Sequence, residues 1–350
     1  MVHESSTSAG WILKIAKDKK ADPILVQKAI RALFLLEGLS ESNLKFVFKG
    51  GTALMLLLGS TRRLSIDIDI LVPESGNLGD ALQHIATSKG FLRFEEQHRE
   101  NQGDIQKAHF KFFFENVLKP GSEDYILLDI LFEKILYQQV IPVLIESPFV
   151  FPEGEARSVP VPDFNNIMGD KLTAFAPNTI GIPYFKKERS MGLEIIKQLY
   201  DVGNIFPHID NTVAVGSVFN DFAKTEMAYR ALGNNIQIVL DDIFENCYSI
   251  CTRGKSGNAN FEILQMGIKQ ADAYIFSESY HLEKAITHAA RAAYMTALIQ
   301  SGDPVMFFQS GTDMKDWIID APYQGLQKLK KTNPEAFYYW HQCLQLKKNG

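Results

Sequence analysis

Two aspartates, Asp67 and Asp69, sit in the run "LSIDIDILV" (Leu64 to Val72), whose other members are all apolar or small. Strict alternation of this kind predicts a strand with one buried face. Ser65, Asp67 and Asp69 then point one way, and Leu64, Ile66, Ile68 and Ile70 the other. Extended backbone spaces the two carboxylates roughly 6.6–7 Å apart along the chain. Like charges that close repel, and neither is desolvated cheaply alone. A hard divalent cation, Mg²⁺ or alternatively Mn²⁺, turns the liability into a site. Two such ions about 3.5–4 Å apart can clamp the attacking and leaving oxygens of a phosphoryl displacement. That chemistry asks for a third carboxylate from a neighbouring strand. Asp129 in "YILLDILFE" interrupts an apolar strand and is the candidate, whereas Glu123 and Asp124 read as solvated residues of the preceding turn.

Upstream, "KGGT" (Lys49, Gly50, Gly51, Thr52) lies between a predicted strand, "LKFVFKGG", and a predicted apolar helix, "TALMLLLGS", that Gly59 ends. Backbone N–H groups at a helix start receive phosphate oxygens, and glycine lets a triphosphate approach the backbone. The spacing is not that of a Walker loop. A bare Gly-Gly reads equally well as a plain turn. The conjunction is more specific: GGT, fourteen residues, an Asp-x-Asp strand, then a lone strand aspartate.

This conjunction resembles the polymerase-beta-like nucleotidyltransferase superfamily. Within it, "FKGGTALMLLLGSTRRLSIDIDI" is similar to the first motif of the AbiEii/AbiGii-type toxin nucleotidyltransferases, with Asp67 and Asp69 matching the metal-binding pair. Where that family often carries an acid, this chain has Ile66, which alternation turns away from the aspartates. "IMGDKLTAFAPNTIGIPY" resembles the family helix whose lysine contacts nucleotide, here Lys171. "EIIKQLYDVGNIF" resembles the element whose aspartate is Asp201, although its usual arginine–aspartate pair reads Lys197-Gln198. The resemblance covers about Phe48 to Phe206. It implies an α+β fold, a mixed sheet flanked by helices, followed by an all-helical C-terminal domain. It also implies a toxin that moves NMP from an NTP to a hydroxyl, with the tRNA 3′ end as acceptor and an antitoxin encoded nearby, in a toxin–antitoxin or phage-defence pair. On this reading Asp67, Asp69 and Asp129 hold metal. Lys49, Gly50, Gly51, Thr52, Arg63, Ser65 and Lys171 meet nucleotide; Lys171, a point charge on the phosphates, counts as catalytic with the three metal-binding aspartates, and Asp201 is a further catalytic aspartate or one that steadies or neutralises Lys171. A small-molecule or protein hydroxyl as acceptor, or a non-catalytic binding module, are the rival readings.

The elements that must position these groups are legible in outline. "DPILVQKAIRALFLLEGL" predicts a helix with Asp22 as cap and Pro23 in its first turn. "KAHFKFFFE" and "DYILLDILFE" predict consecutive strands, "FKFFF" being core rather than a base-stacking platform. The proline-spaced "VIPVLIESPFVFPEGEARSVPVP" predicts edge strands or a crossing hairpin. From Asp163 the period turns helical, and beyond Pro207 strand signals almost vanish; "TEMAYRALGNNIQIVLDDIFENCYSICTRG" predicts long helix. The expected domains are an N-terminal helical segment over 1–40, a nucleotidyltransferase domain over 41–205 and a helical domain over 206–350. "YFKKERS" (Tyr184 to Ser190) is a compact basic loop suited to an RNA acceptor end, although charge runs are commonly solvated faces. Arg62 and Arg63 open the aspartate strand as solvated residues or phosphate contacts.

Composition bounds the rest. In 350 residues, 36 Lys and Arg stand against 41 Asp and Glu, a net charge of −5, which argues against a nucleic-acid coat protein and leads us to expect no DNA partner. A local basic groove remains compatible. Cys247, Cys251 and Cys343 form no even framework and no metal-like spacing, so a structural role is expected. His84, His109, His281 and His288 likewise read as structural or surface residues. No signal peptide and no apolar run of ~18 residues is apparent, so a cytoplasmic protein without membrane contact is expected.

Overall fold

The computed structural model describes residues 2–59, 63–73, 78–97, 106–151, 153–255, 260–276 and 278–349. The chain divides into two compact units, Met1–Asp163 with Ala273–Glu278, and Phe164–Asp272 with Ser279–Gly350. Each is described separately.

The first unit contains α1 (Ala9–Lys19), α2 (Pro23–Glu41), β1 (Val47–Lys49), α3 (Gly50–Leu57), β2 (Ile68–Leu71) and α4 (Leu78–Ser88), followed by β3 (Arg93–Glu96), β4 (Gln106–Glu115), β5 (Glu123–Phe132), β6 (Val140–Leu144) and β7 (Ser158–Pro162). Asp22 caps α2: its carboxylate accepts from the N–H groups of Ile24 at 2.7 Å and Leu25 at 3.4 Å, with Pro23 in the first turn where its missing N–H costs nothing. Five strands form a mixed sheet in the order β1-β2-β5-β4-β3. Its pairings are antiparallel except β2 with β5, which run parallel. Helices α2, α3 and α4 pack on this sheet. Its buried side chains include Phe48, Ile68, Ile70, Phe112, Phe114, Ile126, Leu128 and Ile130. Phe112 and Phe114 place "FKFFF" in the core. β6 and β7 pair antiparallel as a separate ribbon from the proline-spaced stretch.

Four sequence expectations shift. The aspartate strand begins at Ile68, so Asp67 precedes it and Ile66 is only half-buried. β3, "RFEE", gave no strand signal because an edge strand with three charged residues exposes most of its length; its Phe94 stacks on Phe112, centroids 5.5 Å apart. Glu123 and Asp124 lie at the start of β5, where they pair with Arg93 and Lys28. Segment 273–278 also returns to this unit, where the Leu64 N–H donates to Tyr274 O at 2.9 Å and Arg63 bridges to Ile275.

The second unit contains α5 (Phe164–Ala174), a small hairpin of β8 (Phe185–Lys186) and β9 (Arg189–Ser190), α6 (Gly192–Ile205), α7 (Thr212–Tyr229), α8 (Gln237–Thr252), α9 (Phe261–Ala271), α10 (Leu282–Ser301), α11 (Leu329–Thr332) and α12 (Pro334–Asn349). The small-residue run of α10, including Ala285, Ala289, Ala292 and Ala293, is fully buried and packs against α6, α8 and α12. The long helix expected across "TEMAYRALGNNIQIV" breaks between Tyr229 and Gln237, where Ala231 (φ 53°) and Gly233 (φ 74°) take left-handed backbone that no helix continues. By packing, the helices bearing Lys171 and Asp201 belong with this unit, whereas the sequence reading counted them with the catalytic half.

Candidate functional site

In the first unit, the sheet gathers the candidate residues by register. Lys49 on β1 pairs with Asp69 on β2, Asp69 with Asp129 on β5, and Asp129 with His109 on β4. Paired residues share a face, so Lys49, Asp69, Asp129 and His109 form one row across four adjacent strands about 4.8 Å apart. Alternation keeps Ile68, Ile70, Leu128 and Ile130 in the core while Asp69 and Asp129 stay half-buried, reachable from solvent.

The glycine turn closes on this row. Gly50 takes φ +79°, and a Cβ added there would lie 2.1 Å from Asp69 Oδ2. Only glycine gives both the left-handed backbone and the room for that carboxylate. A Cβ on Gly51 would come 2.6 Å from the Arg63 guanidinium and 2.7 Å from Ser65 Oγ. The hydroxyl of fully buried Thr52 donates to Asp67 O at 2.7 Å, tying the first turn of α3 to the segment leading into β2. Lys49 Nζ sits over Tyr137, 5.7 Å from the ring centroid. The structure thus brings Lys49, Gly50, Gly51, Thr52, Arg63, Ser65, Asp69 and Asp129 into one neighbourhood with the backbone of Asp67. Arg62 lies outside the described residues.

His109 is the residue that sequence reasoning missed. Its Nδ1 lies 2.7 Å from Asp129 Oδ1, and because a carboxylate accepts, Nδ1 carries the hydrogen. The signal was present: a hairpin that pairs Glu115 with Glu123 also pairs His109 with Asp129. The carboxylate oxygens match the preference of a hard cation, and in-register Asp69 and Asp129 are the pair the backbone fixes. Among the described residues, no three His, Cys, Asp or Glu side chains gather as a ready metal cage.

In the second unit, Lys171 on α5 and Asp201 on α6 come together: Nζ lies 2.9 Å from Asp201 Oδ2 and donates to Gln198 Oε1 at 3.0 Å. Both charged groups are buried, at 7% and 2% exposure, where an isolated charge would be untenable. Gln198, which stands where the resembled motif has a different residue, is therefore part of the lysine's cradle. Nearby, the buried Asp242 carboxylate collects four donors: Asn178 N at 2.8 Å, Asn178 Nδ2 and Asn246 Nδ2 at 2.7 Å, and Thr179 Oγ1 at 2.9 Å. Burial nevertheless raises its pKa above the ordinary aspartate value, outweighing those hydrogen bonds. The Tyr184 hydroxyl donates to Asn246 Oδ1, extending the network to the foot of the β8–β9 hairpin.

Cys247, Cys251 and Cys343 are buried free thiols; burial raises Cys247 and pushes Cys251 and Cys343 up to about 12, as expected of structural cysteines.

A mixed sheet carrying an acidic pair beside a glycine turn, flanked by helices and followed by helices, defines a polymerase-beta-like nucleotidyltransferase fold. Residues 32–246, more than half of the chain, match the family model described as nucleotidyl transferase AbiEii toxin, type IV TA system, and the chain belongs to that family. No curated protein matches it. Among the described residues, no helix is long and apolar enough to cross a membrane.

Proposed function

We propose that this toxin-family nucleotidyltransferase moves NMP from an NTP to a hydroxyl at the 3′ end of tRNA, in a Mg²⁺-dependent reaction. The observation that carries the reading is the in-register Asp69–Asp129 pair, with Gly50 in van der Waals reach of Asp69. Asp69 and Asp129 would hold the divalent cation, with Asp67 proposed from the family motif as a third ligand that is not gathered with them in this structure; when bound, the ion supplies charge neutralisation for the triphosphate and the leaving pyrophosphate. In the transfer, the acceptor oxygen forms a bond to the α-phosphorus and the bond to pyrophosphate breaks. Asp129 is the proposed acceptor of the hydroxyl proton, its other contact fixed by His109. The N–H groups at the start of α3 suit phosphate oxygens, with Ser65 and Arg63 as further donors. In the second unit, Asp201 and Gln198 hold the Lys171 ammonium in one place. The family's type IV toxin–antitoxin context supports an antitoxin partner; a role in phage defence within the cytoplasm belongs to the same proposal.

The test is incubation of purified protein with Mg²⁺, each α-labelled NTP and total tRNA, beside Asp69→Asn. Label is expected on tRNA, and the variant should lose roughly two to three orders of magnitude in rate without change in its circular dichroism. No transfer by the wild type, or equal transfer by the variant, overturns the reading. Label on a co-purified protein would instead move the acceptor to a protein hydroxyl.

A further inference from the structure

The hairpin between α5 and α6 is built against its own local stability. β8 and β9 pair Phe185 with Ser190 and Lys186 with Arg189, so two cations face each other directly across the ladder, a destabilising arrangement. Lys187, in the two-residue turn, takes φ 56°, a conformation that favours glycine. Phe185 leaves 53% of its surface in water, and the Arg189 side chain 74%. Arg189's ion pair with Glu194 is long, at 3.4 Å, and solvent-screened. In a chain of net charge −5, three cations and one acid within Lys186–Arg189 make a local exception.

The base of the hairpin, by contrast, is firmly held. The Met191 N–H donates to Tyr184 O at 2.9 Å, and the Tyr184 side chain joins the buried Asn246–Asp242 network. Asp242 in turn clamps Asn178 and Thr179, at the start of the loop leading to β8. A self-repelling cationic tip on a rigid base is relieved by a polyanion. Alternation puts Phe185 on the face opposite Lys186 and Arg189, with Lys187 at the tip.

We infer that residues 185–189 bind unpaired RNA: phosphates of the strand contact Lys186, Lys187 and Arg189 while one splayed base stacks on Phe185. This rests on the proposed function in taking RNA as the acceptor. A duplex offers the phosphates but keeps its bases inside the stack, so only an unpaired strand uses Phe185. A tRNA 3′ end is such a strand. An acidic protein would use the cations and leave the ring idle.

The test is fluorescence anisotropy with a labelled single-stranded RNA of about 12 nucleotides and its duplex, across a salt series. Wild type is compared with Phe185→Ala and with Lys186→Ala/Lys187→Ala/Arg189→Ala, thermal unfolding controlling for folding. Phe185→Ala is expected to weaken single-strand binding roughly tenfold and leave duplex binding unchanged. The triple variant should lower the log–log salt slope by about 2. Single-strand affinity unchanged in both variants overturns the inference. So does competition by polyglutamate to which Phe185→Ala is indifferent, which would make the tip a protein-docking site. Binding of labelled NTP with Mg²⁺, measured on the same proteins, separates the two claims. Hairpin-dependent RNA binding without NTP binding would sink the proposed transfer reaction and leave the hairpin's role standing.

Discussion

Gly50 and Asp69 are coupled at the scale of single residues. Any side chain at 50 must displace the carboxylate that a Cβ would approach to 2.1 Å, besides straining backbone at φ +79°. Gly59, at φ +59° with nothing within 4 Å of its missing Cβ, shares the strain without the collision. Gly59→Ala should therefore cost about 1 kcal/mol, and Gly50→Ala at least about 2 with a disproportionate loss of nucleotidyl transfer; denaturant unfolding beside a transfer assay reads both. In the proposed reaction His109 acts through Asp129, whose Oδ1 lies 2.7 Å from its Nδ1. Removing a partner that orients a working carboxylate commonly costs ten- to a hundredfold. We expect His109→Leu to lower kcat by about tenfold or more with little change in KM for NTP. His109→Asn, whose amide can donate from nearly the Nδ1 position, should recover part of it. Equal losses in both variants, or a loss confined to KM, would reduce His109 to packing.

Among secondary-structure elements, the buried Asp242 carboxylate ties the loop after α5 to α8. With its folded-state pKa raised, the folded protein holds a proton that the unfolded chain releases, in the window from the ordinary value near 3.9 up to the raised one. Stability from this group is thus full at the acidic end and lost as pH rises through the folded pKa. Asp242→Asn removes that dependence and sets an amide N–H₂ against donors, at a cost of about 3 kcal/mol. The gap in unfolding free energy between wild type and variant should widen on acidification from neutral pH to about 4. A constant gap would show that Asp242 is ionised throughout. Local order of this kind was only half legible. "APNT" announces a helix stop, but nothing near it in sequence points to Asp242, 63 residues beyond Thr179.

The whole molecule consists of two units whose boundary at Asp163 and Phe164 falls inside the family match of residues 32–246. All three cysteines belong to the second unit, two on α8 and one on α12, and both helices pack on α10. Their thiols are buried and their pKa values raised, so thiolate is scarce and access requires opening the bundle. A thiol-reactive aromatic disulfide at neutral pH should therefore label none of them on the timescale of free cysteine. Labelling should appear at the rate of unfolding in denaturant. Rapid labelling of one thiol in native buffer would mark a local opening of α8 or α12.

The sequence alone determined what short-range physics controls. Asp22 caps α2, Gly50 and Gly59 bracket α3, Ile68, Asp69 and Ile70 alternate, and β4 folds back on β5 through a short turn. Each follows from a hydrogen bond, a φ angle or a side-chain direction within a few residues. Tertiary structure decided the pairings between distant segments: parallel β2 beside β5, Lys171 against Asp201 and Gln198, and residues 273–278 returned to the first unit. The physical reason is that the register of non-adjacent strands and the facing of non-adjacent helices are set by how the intervening elements pack. That packing sums many weak contacts, and no local pattern encodes it.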